Sequence, residues 1–318
     1  MGKIAFVFPG QGSQAVGMGQ ELKRKFPEVA SIIEKADEKL GYSLSSLMFE
    51  GPQEELTLTY NAQPALLTTS ISILAKLKEA GIKADYVAGH SLGEYSALVA
   101  AGSISFEDAV QTVHLRGKFM EEAVPAGKGT MAAVLGLDEA VLQEVTEQVT
   151  SNIAPVQLAN LNCPGQIVIS GSTEGVLAAS ELAKEKGAKR VIPLVVSGPF
   201  HSSLMQPAAE KLAAALKTID VKNTLIPVIA NVDAHEMQEQ ADINEKLVQQ
   251  LYSPVRWEQS VERMIELGVD TFIEVGPGKV LSGLIKKINR RVTTIPVYDM
   301  ETLQKALDHF QGEDTTNA

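Results

Sequence analysis

Short apolar runs alternate with stretches of helical period along almost the whole chain, and few architectures accommodate that order. Strands separated by helices pair in parallel, and a parallel sheet needs helices over both faces. Residues 3–8 read as a buried strand that stops at Pro9-Gly10. Helices are predicted over 28–40, 62–80, 92–101 and 106–124, with Gly81 and Gly102 as breaks and a short strand at 86–88. Later helices over 207–218, 257–267 and 280–288 alternate with strands over 227–230, 271–275 and 294–297. The polar tail 312–318 is expected to fray. The fold class is therefore α/β with a mostly parallel sheet.

The middle of the chain follows another rule. Strand 130–135 and helix 138–149 lead to strands 156–161 and 167–170, joined by the turn signal Asn162-Cys163-Pro164-Gly165. Helix 173–186, closed by Gly187, and strand 190–195 complete a β-α-β-β-α-β order, the pattern of a ferredoxin-like unit. Residues 127–197 read as a small domain inserted in a larger one made of 1–126 and 198–318. A length of 318 residues suits two domains.

Composition narrows the function. Hydrophobic residues at 45% and charged residues at 21% exclude wholesale disorder. A net charge of −11 argues against nucleic acid and against an anionic membrane surface as partners. No apolar run has the length of a membrane span, and the first strand is too short for a signal-peptide core. Met1-Gly2 begins like a myristoylation signal, but Phe6 stands where that signal needs Ser or Thr. Cys163 is the sole cysteine, so no intrachain disulfide can form and a reducing cytoplasm is the expected home. Five scattered histidines have no zinc spacing, so no metal is expected.

Two glycine-rich signals compete for the chemistry. Gly10-Gln11-Gly12-Ser13-Gln14-Ala15 satisfies the dinucleotide fingerprint after a strand, which leaves open a cofactor- or acyl-binding protein without chemistry. That fingerprint also needs a second strand with an acidic residue some 20 positions on. Here 28–40 has helical period, so a tight loop at a strand end is the simpler reading. Gly89-His90-Ser91-Leu92-Gly93 matches G-x-S-x-G between a strand and a helix, the setting of a nucleophile elbow. Ser91 would be exposed at the strand end, and the Leu92 N–H would face an oxyanion at the start of the next helix. The simpler alternative is a Gly-Ser turn that caps a helix.

A serine needs a base. His90 adjoins Ser91 and is expected to point away; His114 lies within a helix; His235 and His309 sit in polar surroundings. His201, in the loop Ser197-Gly198-Pro199-Phe200-His201-Ser202 between a strand and a helix, is the candidate. Glu107, Asp108, Glu139 and Glu181 fall on helix faces, so another group, such as a backbone carbonyl, is needed to orient the imidazole. Arg116 shares a helical stripe with Ala109, Val113 and Met120. An inward guanidinium demands an anion, either a structural carboxylate such as Glu121 or Glu122 or a substrate carboxylate.

These motifs stand in order with Arg116-Gly117-Lys118, Gly198-Pro199-Phe200-His201, 250–257 (Gln-Leu-Tyr-Ser-Pro-Val-Arg-Trp) and 274–279 (Glu-Val-Gly-Pro-Gly-Lys). Over nearly its whole length the sequence resembles the malonyl-CoA:acyl carrier protein transacylase family of bacterial fatty acid synthesis. The resemblance implies an α/β-hydrolase-like large domain beside the ferredoxin-like small one. It implies Ser91 as the acylated nucleophile, His201 as its base, and the Gln250 backbone carbonyl as the group that holds the imidazole. It assigns the oxyanion hole to the backbone N–H groups of Gln11 and Leu92, and the malonyl carboxylate to Arg116. Gln63, Asn160 and Asn162 match polar positions that line the cleft, and Phe200 matches the malonyl-selective form of its loop. The implied partners are malonyl-CoA and, transiently, acyl carrier protein; no cofactor is implied, and a cytoplasmic monomer is expected. An acidic carrier would need a local basic surface, for which Lys189-Arg190 and Lys286-Lys287 with Arg290-Arg291 are candidates; solvated helix ends are the alternative. A serine esterase or thioesterase, with water as acceptor, is the rival enzyme.

Overall fold

The computed structural model describes residues 2–125 and 127–316. Strand β1 (Lys3–Phe8) precedes helices α1 (Gln20–Lys25), α2 (Pro27–Leu40), α3 (Leu44–Glu50), α4 (Gln53–Thr57) and α5 (Thr59–Glu79). Then come β2 (Tyr86–Gly89), α6 (Gly93–Ala100) and α7 (Phe106–Ala123). The middle segment holds β3 (Gly129–Leu135), α8 (Glu139–Asn152), β4 (Val156–Cys163), β5 (Gln166–Ser172), α9 (Thr173–Glu185) and β6 (Arg190–Pro193). The rest runs α10 (Gln206–Leu216), β7 (Val228–Ile229), β8 (Glu236–Met237), α11 (Gln240–Gln250), α12 (Trp257–Glu266), β9 (Val269–Val275), α13 (Val280–Ile288), β10 (Thr293–Val297) and α14 (Met300–Thr316).

Six strands form one sheet in the order β10-β9-β1-β2-β7-β8, parallel except for the last pair. Ala5, Phe6, Val7 and Phe8 of β1 are all buried, because helices cover both faces of a central parallel strand. The other four strands form an antiparallel sheet, β4-β5-β3-β6, with α8 and α9 packed on it around a separate core that includes Leu142, Ile169 and Val176. The two sheets meet at Val255. Its N–H donates to the Ala159 carbonyl (2.8 Å) and its carbonyl accepts from the Leu161 N–H (2.9 Å), so β4 gains a short parallel bridge to the segment after α11.

Two local features place the site residues. Pro64 lies inside α5 and cannot donate to Tyr60, four residues back. His114 of α7 donates from Nδ1 to that freed Tyr60 carbonyl at 2.8 Å. Three residues on, a Cβ at Gly117 would meet the Tyr60 Cα at 2.5 Å, so the glycine lets α7 cross close over α5.

The structure adds elements the pattern does not announce. Helices α3 and α4 have seven and five residues, too few to show a full amphipathic period. Helix α11 buries Ile243, Leu247 and Gln250, and the glutamine breaks its apolar stripe. The turn expected at 162–165 is shorter, because β4 continues through Cys163 and leaves Pro164-Gly165 to reverse the chain. The tail expected to fray from 312 is helical to Thr316; residues 317 and 318, like Met1 and Ala126, lie outside the described residues.

Candidate active site

The serine sits on a sharp turn between β2 and α6, with a left-handed φ of 50°. The flanking glycines are sterically required. A Cβ at Gly89 would lie 1.9 Å from the Gly93 carbonyl carbon, and one at Gly93 would lie 2.1 Å from the Phe8 carbonyl oxygen. Asn231, just past β7, fastens the turn. Its Oδ1 accepts the Ser91 N–H at 2.8 Å, and its Nδ2 donates to the Gly89 carbonyl at 2.7 Å. The first glycine loop crosses directly over this turn, since a Cβ at Gly10 would come within 2.5 Å of the His90 carbonyl oxygen. That loop opens no helix before Gln20, and 27–40 is helix α2, so the second strand of a dinucleotide fold is missing there. Among the described residues, the backbone N–H groups of Gln11 and Leu92 have no acceptor.

His201, also in the left-handed region at φ 57°, is only 3% exposed. Its Nδ1–H donates to the Gln250 carbonyl at 2.8 Å, which leaves Nε2 to accept the Ser91 hydroxyl proton across 2.8 Å. No acidic side chain takes part. Burial, and then the nearby Arg116 guanidinium, lower the His201 pKa to about 3, against the pull of its hydrogen bond to Gln250. Gln157 of β4 braces the loop: it donates to the carbonyls of His201 (3.3 Å) and Tyr252 (3.2 Å) and accepts the Ser203 N–H (2.8 Å).

Arg116 is fully buried and has no carboxylate partner among the described residues. Glu121 instead accepts the Thr59 N–H, and Glu122 pairs with Lys211. The guanidinium donates to Gln63 Oε1 (2.8 Å), Gln250 Oε1 (2.9 Å) and the Ser91 hydroxyl (3.1 Å). Its Nε has no partner among the described residues, and the Tyr95 ring lies 5.6 Å from its central carbon. A buried cation that meets only neutral oxygens, the Ser91 hydroxyl among them, is suited to receive an anion.

Ser91 and His201 open on a cleft of about 340 Å³, lined among others by Gln11, His90, Asn160 and Phe200, while Arg116 stands behind Ser91. His90, though it lines the cleft, turns away from the Ser91 hydroxyl as expected; its Nε2 donates to Asn162 Oδ1 at 2.9 Å, and its ring lies 5.7 Å from that of Trp257. Of the three polar positions expected to line the cleft, only Asn160 does so. Gln63 and Asn162 stand behind it, holding Arg116 and His90. Among the described residues no three His, Cys, Asp or Glu side chains gather as a metal group.

Glu94, one turn past the serine, is a site neighbour that sequence reasoning missed. It is 1% exposed, receives Gln250 Nε2, and accepts the Asn231 N–H at 3.4 Å. Burial raises its pKa to about 8, opposed by those hydrogen bonds and by Arg116. The clue available in sequence is a lone charged residue in a helix whose other residues are apolar or small.

The basic candidates divide. Lys287 donates to Gln166 Oε1 at 2.9 Å; Gln166 pairs with Leu135, and Leu135 pairs with Arg190, so Lys287, Lys189 and Arg190 gather at one end of the second sheet. Lys286 turns back on its own helix end toward the Arg290 and Val292 carbonyls.

The sequence model of the acyl transferase domain matches residues 5–315. The malonyl CoA-acyl carrier protein transacylase of Bacillus subtilis is 64% identical over 313 residues, 98% of this chain and 99% of that protein. The protein of the same name in Escherichia coli is 47% identical over 97% of this chain and 100% of its own length. Among solved structures, the malonyl CoA-acyl carrier protein transacylase of Clostridium perfringens superposes with a TM-score of 0.95 at 44% identity, covering 99% of both chains. A malonyl-transacylase in complex with a type II polyketide acyl-carrier protein gives 0.94 at 46% identity, over 96% of this chain and 99% of that one.

Proposed function

This chain belongs to the acyl transferase family, and on that premise we propose that it moves malonyl from malonyl-CoA to the phosphopantetheine thiol of acyl carrier protein, for fatty acid synthesis. The observation that carries the choice of acyl group is Arg116, a buried cation without a counter-ion that lies 3.1 Å from the Ser91 hydroxyl. The free carboxylate of a malonyl group fits that vacancy, in a two-bond fork that holds the thioester over Ser91.

In the first half-reaction Ser91 Oγ bonds to the thioester carbonyl carbon while its proton passes to His201 Nε2. The negative charge moves to the carbonyl oxygen, where the N–H groups of Gln11 and Leu92 receive it. As the tetrahedral species collapses the C–S bond breaks, and the proton on His201 goes to the departing CoA sulfur. In the second half, the carrier thiol gives its proton to His201 and attacks the malonyl-serine ester; Ser91 leaves and takes that proton back. The Gln250 carbonyl keeps the imidazole in one tautomer throughout. Phe200 supplies an apolar wall beside the base, and a partly dry cleft favours thiol over water. No step calls for a metal or cofactor.

We read the large sheet with its helices, 1–126 and 198–318, as the α/β-hydrolase-like domain, and 127–197 as an inserted ferredoxin-like domain. Its β-α-β-β-α-β succession and antiparallel order support that reading. Lys189, Arg190 and Lys287 are proposed to meet the acidic carrier, with Lys286 contributing less because it is engaged at its own helix end. The working form is proposed to be a cytoplasmic monomer. No helix among the described residues is long and apolar enough to cross a membrane.

Intact mass after incubation with malonyl-CoA tests the proposal. The expected result is one malonyl adduct that clears when phosphopantetheinylated carrier protein is added, and none on Ser91→Ala. Malonate released at a matching rate without a thiol acceptor would make the protein a thioesterase. An unmodified wild-type mass would overturn the covalent route.

A further inference from the structure

Gln250 serves the site twice. Its backbone carbonyl holds His201, while its side-chain amide lies between Arg116 and Glu94. A primary amide has two orientations that differ only in which end presents oxygen. With Oε1 toward Arg116, the amide accepts from the guanidinium at 2.9 Å and its Nε2 donates to Glu94, to the Ser91 carbonyl at 2.9 Å and to Asn231 Oδ1 at 3.3 Å. Turned over, the NH2 would face the guanidinium, donor against donor, and the oxygen would face three acceptors. Of the two side chains in that trio, Asn231 fastens the elbow, and Glu94 adds to its Gln250 contact only a long 3.4 Å bond from the Asn231 N–H. It does not line the cleft.

We infer that Glu94 is a positioning residue for acyl selectivity: it holds the Gln250 amide with its oxygen toward Arg116, and so fixes the guanidinium for a substrate carboxylate. Gln63 clamps one terminal nitrogen and Gln250 the other. The nitrogen that Gln250 clamps also donates to the Ser91 hydroxyl at 3.1 Å, where the acyl group arrives. An unclamped arginine would have to be ordered by each incoming donor, at a cost borne by carboxylated donors alone. This inference rests on the reading of Ser91 as acylated residue and Arg116 as carboxylate partner.

The test compares kcat/KM for acylation by malonyl-CoA and by acetyl-CoA in each variant, because their ratio does not depend on the fraction of protein folded. Glu94→Met, which keeps bulk and removes the oxygens that Gln250 meets, is expected to lower the malonyl-to-acetyl ratio about tenfold, the worth of one buried hydrogen bond. That loss should lie in KM for malonyl-CoA. Glu94→Gln keeps an oxygen for Gln250 and should retain most of the ratio. In a Gln250→Ala background, Glu94→Met should add nothing, since the two act through one contact. A ratio within about twofold of wild type in Glu94→Met, or an equal further loss in the Gln250→Ala background, overturns the inference. Wild type that fails to load malonyl would instead sink the functional reading beneath it.

Discussion

A general base must be unprotonated when the reaction starts, and the pocket of His201, the proposed base, ensures this by withholding water and placing a guanidinium nearby. With the pKa lowered to about 3, the neutral imidazole persists as pH falls and is lost only as that value is approached. Acylation by malonyl-CoA should therefore hold nearly constant from about pH 8 down to about pH 5, well past the ordinary histidine value of about 6.5. Rapid-quench measurement of the malonyl-enzyme across that range checks it, and a half-maximal point near pH 6.5 would contradict it. At this scale the sequence reveals residues whose role is local. Ser91 is legible from its turn, and His201 from its loop. Asn231, Glu94 and the Gln250 side chain are not, because their roles exist only through contacts such as the one between Ser91 and Asn231, 140 positions apart.

Helices α5 and α7 show how elements deliver a functional group. Arg116 reaches Gln63 because Gly117 allows the two helices to touch backbone to backbone. A methyl group at Gly117 would strike the Tyr60 backbone, which cannot rotate away as a side chain can. Gly117→Ala should cost about 2 kcal/mol of stability by overpacking. It should also weaken malonyl loading more than acetyl loading, because Arg116 moves with the helix. Denaturant unfolding beside the two loading rates checks this, and a variant of wild-type stability would show that the crossing yields easily. The apolar stripe of α7 was readable from sequence, and with it the inward arginine. What the arginine faces was not, since period reports a helix's buried side and not its neighbour. The strand expected over 227–230 is there as the two-residue β7, whereas the polar helix α11 and the two-residue strand β8 carry too little pattern to be seen.

For the molecule as a whole, a net charge of −11 repels an acidic carrier, so approach depends on where the cations stand. Lys287 lies far along the chain from the adjacent Lys189 and Arg190 and meets them through the Gln166 and Leu135 pairing. Reversing Lys189 and Lys287 to Glu should slow malonyl transfer to carrier protein about tenfold at low salt, while transfer to a free pantetheine thiol changes less than about twofold. Equal slowing for both acceptors would remove the docking role. The broad α/β alternation and the β-α-β-β-α-β middle were legible because each element has a clear period, whereas the joint between the sheets rests on contacts that no period reports, the Val255 backbone bridge and the Gln157 and Lys287 side-chain bonds among them. That joint has a mechanical meaning. Strand β4 carries Asn160 to the cleft and is tied through Val255 to the segment that begins at Gln250, the residue that orients the base. Swinging the small sheet outward would tear main-chain pairing a few residues from the imidazole's anchor. On its β4 side the cleft is thus walled by paired backbone, and widening it there would cost main-chain hydrogen bonds and not merely side-chain contacts.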